Sequence, residues 1–307
     1  MISPVGKIAA RLAIAAFLIV DVVLVVAVYR HVNAEPAAVA LPSPVSADTD
    51  LAEEAPADEQ RQDPYDLDPA QSYLLSLSDD GSLLSARRGQ CDGRTQAEVQ
   101  VSDNGGATLR DVDTGLSEVV AVRADSASDL TVIGAESDCV LRQRTSTDGG
   151  STWLDGYTFA GTFDVSGWHP DLDKETVVVS DKRTSEPGCS VTSLSDVSEV
   201  LARVSCADGT IIGTGDGGDS WVKLGRLDNV RVASYASPSK AYALAKYQGC
   251  AANAFVTRDG GRTWSPGGCI SGDPAQALTQ ASDRLVARVD GGLYVSRDEG
   301  ASWSPAS

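Results

Sequence analysis

The sequence predicts an all-β fold, a β-propeller of four-stranded blades, preceded by an N-terminal transmembrane helix. Three observations carry that expectation. Nearly the same eight-residue phrase recurs five times in 307 residues. The central acid or amide of the phrase falls at Asn104, Asp148, Asp216, Asp259 and Asp298, with successive gaps of 44, 68, 43 and 39 residues. A period of roughly 40–45 residues with a hairpin in each unit suits a four-stranded propeller blade. Ahead of the repeats, residues 12–29 form an 18-residue apolar run broken only by Asp21.

The amino end comes first. As a helix, residues 12–29 span about 27 Å, enough to reach across a hydrocarbon core. Lys7 and Arg11 precede the run, and the chain turns acidic beyond His31. Residues 1–34 therefore read as a cytoplasmic stub and membrane anchor, with the rest outside the cytoplasm. A cleaved signal peptide, with its cut near Ala34 and a secreted product, is the other reading. Asp21 at mid-span costs roughly 2.5–3.5 kcal/mol on an insertion scale. It is either a contact to a partner helix or a tolerated charge.

Residues 35–70 are a different material, with six of the thirteen prolines, ten acids and one Arg. So few large apolar side chains cannot offset the entropy of ordering, so an extended, disordered spacer is expected. Fully stretched it reaches roughly 100 Å at about 3 Å per residue.

Residues 71–307 hold the repeats. The clearest copies are residues 146–153 (STDGGSTW) and 257–264 (TRDGGRTW), followed by 214–221 (TGDGGDSW) and 296–303 (SRDEGASW). A worn copy at 102–109 has Asn104 in the Asp place and Leu109 in the Trp place. Asp accepts bonds from nearby N–H groups and Gly supplies positive φ, so each phrase reads as a hairpin turn between two short apolar runs. Trp153, Trp221, Trp264 and Trp303 are expected to anchor each hairpin on its own unit's core. The 68-residue gap calls for a blade without the phrase, placed at residues 161–195. Within it, residues 168–173 (WHPDLD) followed by 176–179 (TVVV) look like a strand–turn–strand passage. Six blades fit the length; five with a long insertion is the alternative.

These phrases resemble the Asp-box (BNR) repeats of sialidase-like and sortilin-like propellers. The resemblance implies that the boxes are structural hairpins lying away from the working face. It does not by itself imply an activity, because function resides in sites grafted onto a fold.

All six cysteines, Cys91, Cys139, Cys189, Cys206, Cys250 and Cys269, fall within residues 71–307, with no Cys-x-x-Cys pair. Only His31 and His169 are histidines, so no metal site is expected and a disulfide framework is. In a four-stranded blade these positions lie in loops on the face opposite the boxes. Fifteen pairings are possible. The spacing favours Cys250–Cys269, Cys189–Cys206 and Cys91–Cys139.

Charge excludes some partners. The net charge is −18. Residues 1–34 carry +2 and the spacer −9, leaving −11 for the repeats. Nucleic acid and anionic membrane surfaces are therefore not expected partners.

No catalytic residues and no cofactor are assigned. The Arg-Ile-Pro start of sialidases is absent, and Arg87–Arg88 lack its context. His169 shows neither an orienting carboxylate nor a nucleophile, and the His-Pro-Asp string reads as a turn. Residues 111–115 (DVDTG) hint at calcium but lack the other ligands of a binding loop. Trp168, outside the boxes, and Tyr247, beside Cys250, are the candidate binding aromatics, with packing as the plainer role for both. The expected function is a membrane-anchored, extracytoplasmic, monomeric propeller that binds a protein or cell-surface glycan without catalysis. A sialidase-like glycoside hydrolase and a structural propeller with no ligand are the alternatives.

Overall fold

The computed structural model describes residues 71–155, 168–170, 177–180, 183–198 and 200–307. The expectations for residues 1–70 lie outside the described residues. Among the described residues no helix is long and apolar enough to cross a membrane.

Six antiparallel sheets follow one another in chain order. Sheet 1 comprises β1 (Tyr73–Leu77), β2 (Leu83–Arg87), β3 (Glu98–Ser102) and β4 (Arg110–Val112). Sheet 2 comprises β5 (Glu118–Ala124), β6 (Leu130–Ala135), β7 (Leu141–Ser146) and β8 (Leu154–Asp155). Sheet 3 has three strands, β9 (His169–Pro170), β10 (Val177–Ser180) and β11 (Arg183–Ser185). Sheet 4 comprises β12 (Val191–Ser198), β13 (Leu201–Cys206), β14 (Thr210–Thr214) and β15 (Val222–Arg226). Sheet 5 comprises β16 (Val230–Tyr235), β17 (Ala241–Tyr247), β18 (Cys250–Thr257) and β19 (Ser265–Ile270). Sheet 6 comprises β20 (Ala275–Ala281), β21 (Arg284–Val289), β22 (Gly292–Ser296) and β23 (Ser304–Pro305).

The fold is thus an all-β propeller with five four-stranded blades, and a smaller sheet stands where the box is missing. That sheet explains the 68-residue gap. A box is the hairpin that joins a third strand to a fourth. After β11 the chain reaches β12 within residues 186–190, where Pro187 and Gly188 disfavour a strand and Cys189 is tied to Cys206. The boundary expected at residue 195 is corrected accordingly, because residues 191–195 already belong to the next blade.

The first strand of each blade is the innermost. β1 packs against β5 and β20, and β16 against β12 and β20. Second strands are buried on both faces and carry small residues such as Ala86, Ala202, Ala243, Ala245 and Ala287. Small side chains there let neighbouring sheets approach, and larger ones such as Leu244 and Val286, both 0 % exposed, fill the seams. Each apolar cluster straddles two sheets. One joins Ile211 of sheet 4 to Ala233, Tyr235 and Phe255 of sheet 5, and another joins Ala254 of sheet 5 to Leu285 of sheet 6.

Sheets 1 and 6 are each built from consecutive strands, so their junction brings the two ends of the described chain together without exchanging a strand. Leu77 and Leu83 pack on Val286, with Leu109 and Leu293 beside them. Ser282 Oγ donates to Asp79 Oδ1 at 2.7 Å.

Candidate ligand-binding channel

The boxes form one repeated hydrogen-bond clamp. In the second blade Ser146 Oγ donates to Asp148 Oδ1 at 2.8 Å and accepts the Gly150 N–H at 2.8 Å. Thr152 donates its N–H to Oδ1 at 2.9 Å and its hydroxyl to Oδ2 at 2.6 Å. Asp216, Asp259 and Asp298 repeat the pattern with Ser220, Thr263 and Ser302. The Thr152 hydroxyl and N–H hold the Asp148 carboxyl down at about 2, and Ser302 does the same for Asp298. In the worn copy the Thr108 N–H donates to Asn104 Oδ1 at 2.9 Å, and Asn104 Nδ2 donates to Thr108 Oγ1 at 3.1 Å. Asn keeps the clamp by reversing one donor.

The box tryptophans pack in clusters that hold residues of their own sheets, and Trp153, Trp264 and Trp303 reach residues of the preceding sheet as well. Trp153 packs with Val101 and Val112 of sheet 1, and Trp264 packs in the cluster that contains Ile211 of sheet 4. Gly261 shows why this place takes glycine: its φ is +97°, and an added Cβ would lie 2.6 Å from the Tyr235 hydroxyl. The Tyr235 hydroxyl donates to the Gly260 carbonyl of the same box at 3.4 Å. The boxes are therefore inter-sheet fasteners, and the central Asp of each complete box is spent on its own hairpin.

The opposite ends of the strands carry the disulfides. Cys91 pairs with Cys139, Cys189 with Cys206 and Cys250 with Cys269, across Cα distances of 5.2, 5.8 and 6.0 Å. These are the pairs the spacing favours. Cys91–Cys139 joins sheets 1 and 2, where a buried ion pair reinforces the seam. Arg88 Nε donates to Glu118 Oε1 at 2.9 Å, and the Cys91 N–H donates to Glu118 Oε2 at 3.1 Å.

Between the two faces the innermost strands enclose a cavity of about 840 Å³. Tyr73, Arg88, Arg231 and Gln276 lie toward its disulfide-face end, by their place at the start of inner strands or the end of β2. Arg123, Asp196 and Tyr235 lie toward the box-face end. Gln276 Oε1 accepts the Gly291 N–H at 2.8 Å, which leaves its amide group as a donor. Asp196 is open to channel water yet ringed by protein atoms. That burial pushes its carboxyl up to about 6, with the Arg123 charge opposing the shift.

The candidate aromatics separate. Trp168 is not a surface side chain: it is 4 % exposed, lies edge-on to Trp221 at 5.9 Å, and donates its indole N–H to the Ser198 carbonyl at 3.0 Å. It nonetheless contributes to the cavity wall. Tyr247 is 39 % exposed and lies edge-on to Phe255 on the disulfide face, outside the cavity lining. His169 is 1 % exposed on β9. In the 111–115 stretch, Asp111 accepts from Gln100 and Asp113 from the Gly115 N–H. Sequence reasoning passed over Tyr73, Asp196, Arg231 and Gln276. Asp196 carried a usable signal, an acid inside a strand rather than at a turn.

A family model described as the BNR/Asp-box repeat matches residues 255–266, which contain the third of the four complete boxes. The chain carries the Asp-box (BNR) repeat on a β-propeller fold. No curated protein matches this propeller significantly in sequence. Solved structures similar to it include YCF48 bound to D1 peptide, at 15 % identity and a TM-score of 0.31, over 61 % of this chain and 54 % of that one. They also include the SapL1 lectin in complex with alpha methyl fucoside, at 14 % identity and 0.48, over 78 % and 95 %. Human WBSCR16 is similar at 11 % identity and 0.41, over 79 % and 83 %. The match spans about half the length of the YCF48 chain. The ligands in those structures belong to those proteins.

Proposed function

We propose that this Asp-box propeller is a non-catalytic binding module whose ligand, a protein segment or a cell-surface glycan, enters the central channel from the disulfide face. The cavity of about 840 Å³ carries this reading, because it is a walled space of ligand size with an apolar lining set with polar groups. Gln276 offers its amide donors at that mouth beside Arg88 and Arg231, and the Glu118 ion pair and the Cys91–Cys139 bridge stiffen the loop that bears Arg88. The central Asp of each complete box accepts bonds from its own hairpin, which supports placing the ligand away from the boxes.

A glycosidase needs two carboxyl groups flanking the bond to be broken. Among the described residues lining the cavity, Asp196 is the one carboxylate, which supports binding over hydrolysis. Residues 1–34 complete the proposal as a membrane anchor, with a monomeric propeller held outside the cytoplasm by the acidic spacer. The test is a panel of glycans and peptides presented to the full-length protein, read for both binding and turnover. Saturable binding without turnover is expected. Turnover abolished by Asp196→Asn contradicts the reading, and so does the absence of any binding.

A further inference from the structure

Asp196 differs from the central Asp of every complete box in having no donor among the described residues. Among the described residues no N–H or O–H reaches its oxygens, although donors surround it. Arg123 Nε is committed to Asp125 Oδ1 at 2.8 Å. Ser195 Oγ donates to the Ala233 carbonyl at 3.0 Å, and Ser193 Oγ to Ser205 Oγ at 3.1 Å. The Trp168 indole N–H is spent on the Ser198 carbonyl. The carboxylate therefore faces the cavity with its hydrogen-bonding capacity unspent.

We propose that Asp196 anchors a second binding subsite, at the box-face end of the channel, for a ligand carrying a primary ammonium group. This subsite lies at the mouth opposite the one proposed for the main ligand and does not depend on that reading.

Charge decides the class of ligand. A neutral hydroxyl offers this carboxylate an ordinary hydrogen bond. An ammonium offers it a charge-assisted bond, about twice as strong as a neutral one. Arg123 donates its Nε to Asp125 rather than to Asp196, and that pairing tempers its repulsion of an incoming cation. Val122, Val197 and Trp168 line the cavity and offer apolar wall to the carbon chain behind the ammonium. A lysine side chain and a small free amine present the same chemistry.

The test titrates the full-length protein with n-butylammonium, n-butanol, butyrate and a lysine tripeptide blocked at both ends. The readout is the Trp168 indole N–H resonance, assigned with Trp168→Phe. A saturable shift with n-butylammonium is expected, with none from n-butanol or butyrate. Asp196→Asn should weaken the response roughly tenfold or more. A matching response to the blocked peptide assigns the subsite to lysine side chains, and silence from it assigns the subsite to small amines. An equal response to n-butanol, or no saturable shift in the wild type, overturns the proposal without recourse to any variant. Unchanged affinity in Asp196→Asn overturns it as well.

Discussion

The Arg288 guanidinium lies over the ring of Tyr73, 3.9 Å from its centroid, and so joins sheet 6 to sheet 1. Arg288 is 8 % exposed and also donates to Ser85 Oγ at 3.2 Å. The last and first sheets exchange no strand, so side chains alone hold this junction. A desolvated cation–π contact is worth up to about 2 kcal/mol. Tyr73→Leu should therefore lower stability by about 1–2 kcal/mol. Urea unfolding monitored by circular dichroism checks this, and an unchanged midpoint would show that the apolar packing of Leu77, Leu83 and Val286 is sufficient.

The clamp reading of the boxes predicts that their hydroxyls matter for stability and not for binding. Thr257 Oγ1 accepts the buried Gly261 N–H at 3.0 Å and donates to Asp259 at 2.8 Å. Thr257→Val keeps the shape and strands that N–H, so it should cost about 1–3 kcal/mol. Thermal unfolding measures the cost. Ligand affinity at temperatures where the variant is folded should be unchanged.

Acid should act on the boxes late. Their carboxyls are held below the unfolded value of about 3.9, at about 2 for Asp148 and Asp298. The stability they contribute is present above about pH 4 and is lost as pH falls through about 2. Asp196 has the opposite sign. Its carboxyl is raised to about 6, so its contribution is full below about pH 4 and is lost as pH rises through 6. Denaturant midpoints taken from pH 2 to pH 8 should fall at the acid end. The Asp196→Asn variant should lose the decline between about pH 4 and pH 6.

The disulfides should rank by the chain they close. Cys91 and Cys139 are 48 residues apart, against 17 for Cys189–Cys206 and 19 for Cys250–Cys269. The chain-entropy relation gives about 4 kcal/mol for the first and about 3 for each of the others. Replacing each pair by Ala and measuring unfolding should reproduce that order. Loss of Cys91–Cys139 should also loosen the Arg88 loop, visible as faster amide exchange at Cys91.

Local chemistry was legible in the sequence, and contacts between distant residues were not. The clamp at Asp148 and Thr152 lies within a few residues, so its turn character could be read directly. The cysteine pairs followed from the place of each cysteine within the repeat. The Arg288–Tyr73 contact joins residues from opposite ends of the repeat region, and no spacing rule reveals it. The reach of Trp153 and Trp264 to the preceding sheet was not legible, because sequence does not tell which side of a hairpin meets the neighbouring sheet. Trp168, set apart only by lying outside a box, proved to be buried. Asp196 was lost among many acids, nearly all explained by turns, because its position inside β12 emerges only once the blade boundary moves from residue 195 to residue 191.

The central claim is that ligand binding resides in the channel and not on the boxes. Ser234 lies on an innermost strand and lines the cavity. Ser234→Trp narrows the channel and leaves every box and disulfide in place. The decisive measurement is the affinity of the full-length Ser234→Trp protein for whichever glycan or peptide binds the wild type, beside the Thr257→Val box variant. The channel substitution is expected to abolish binding and the box substitution to preserve it. Binding that survives in Ser234→Trp and fails in Thr257→Val would contradict the claim.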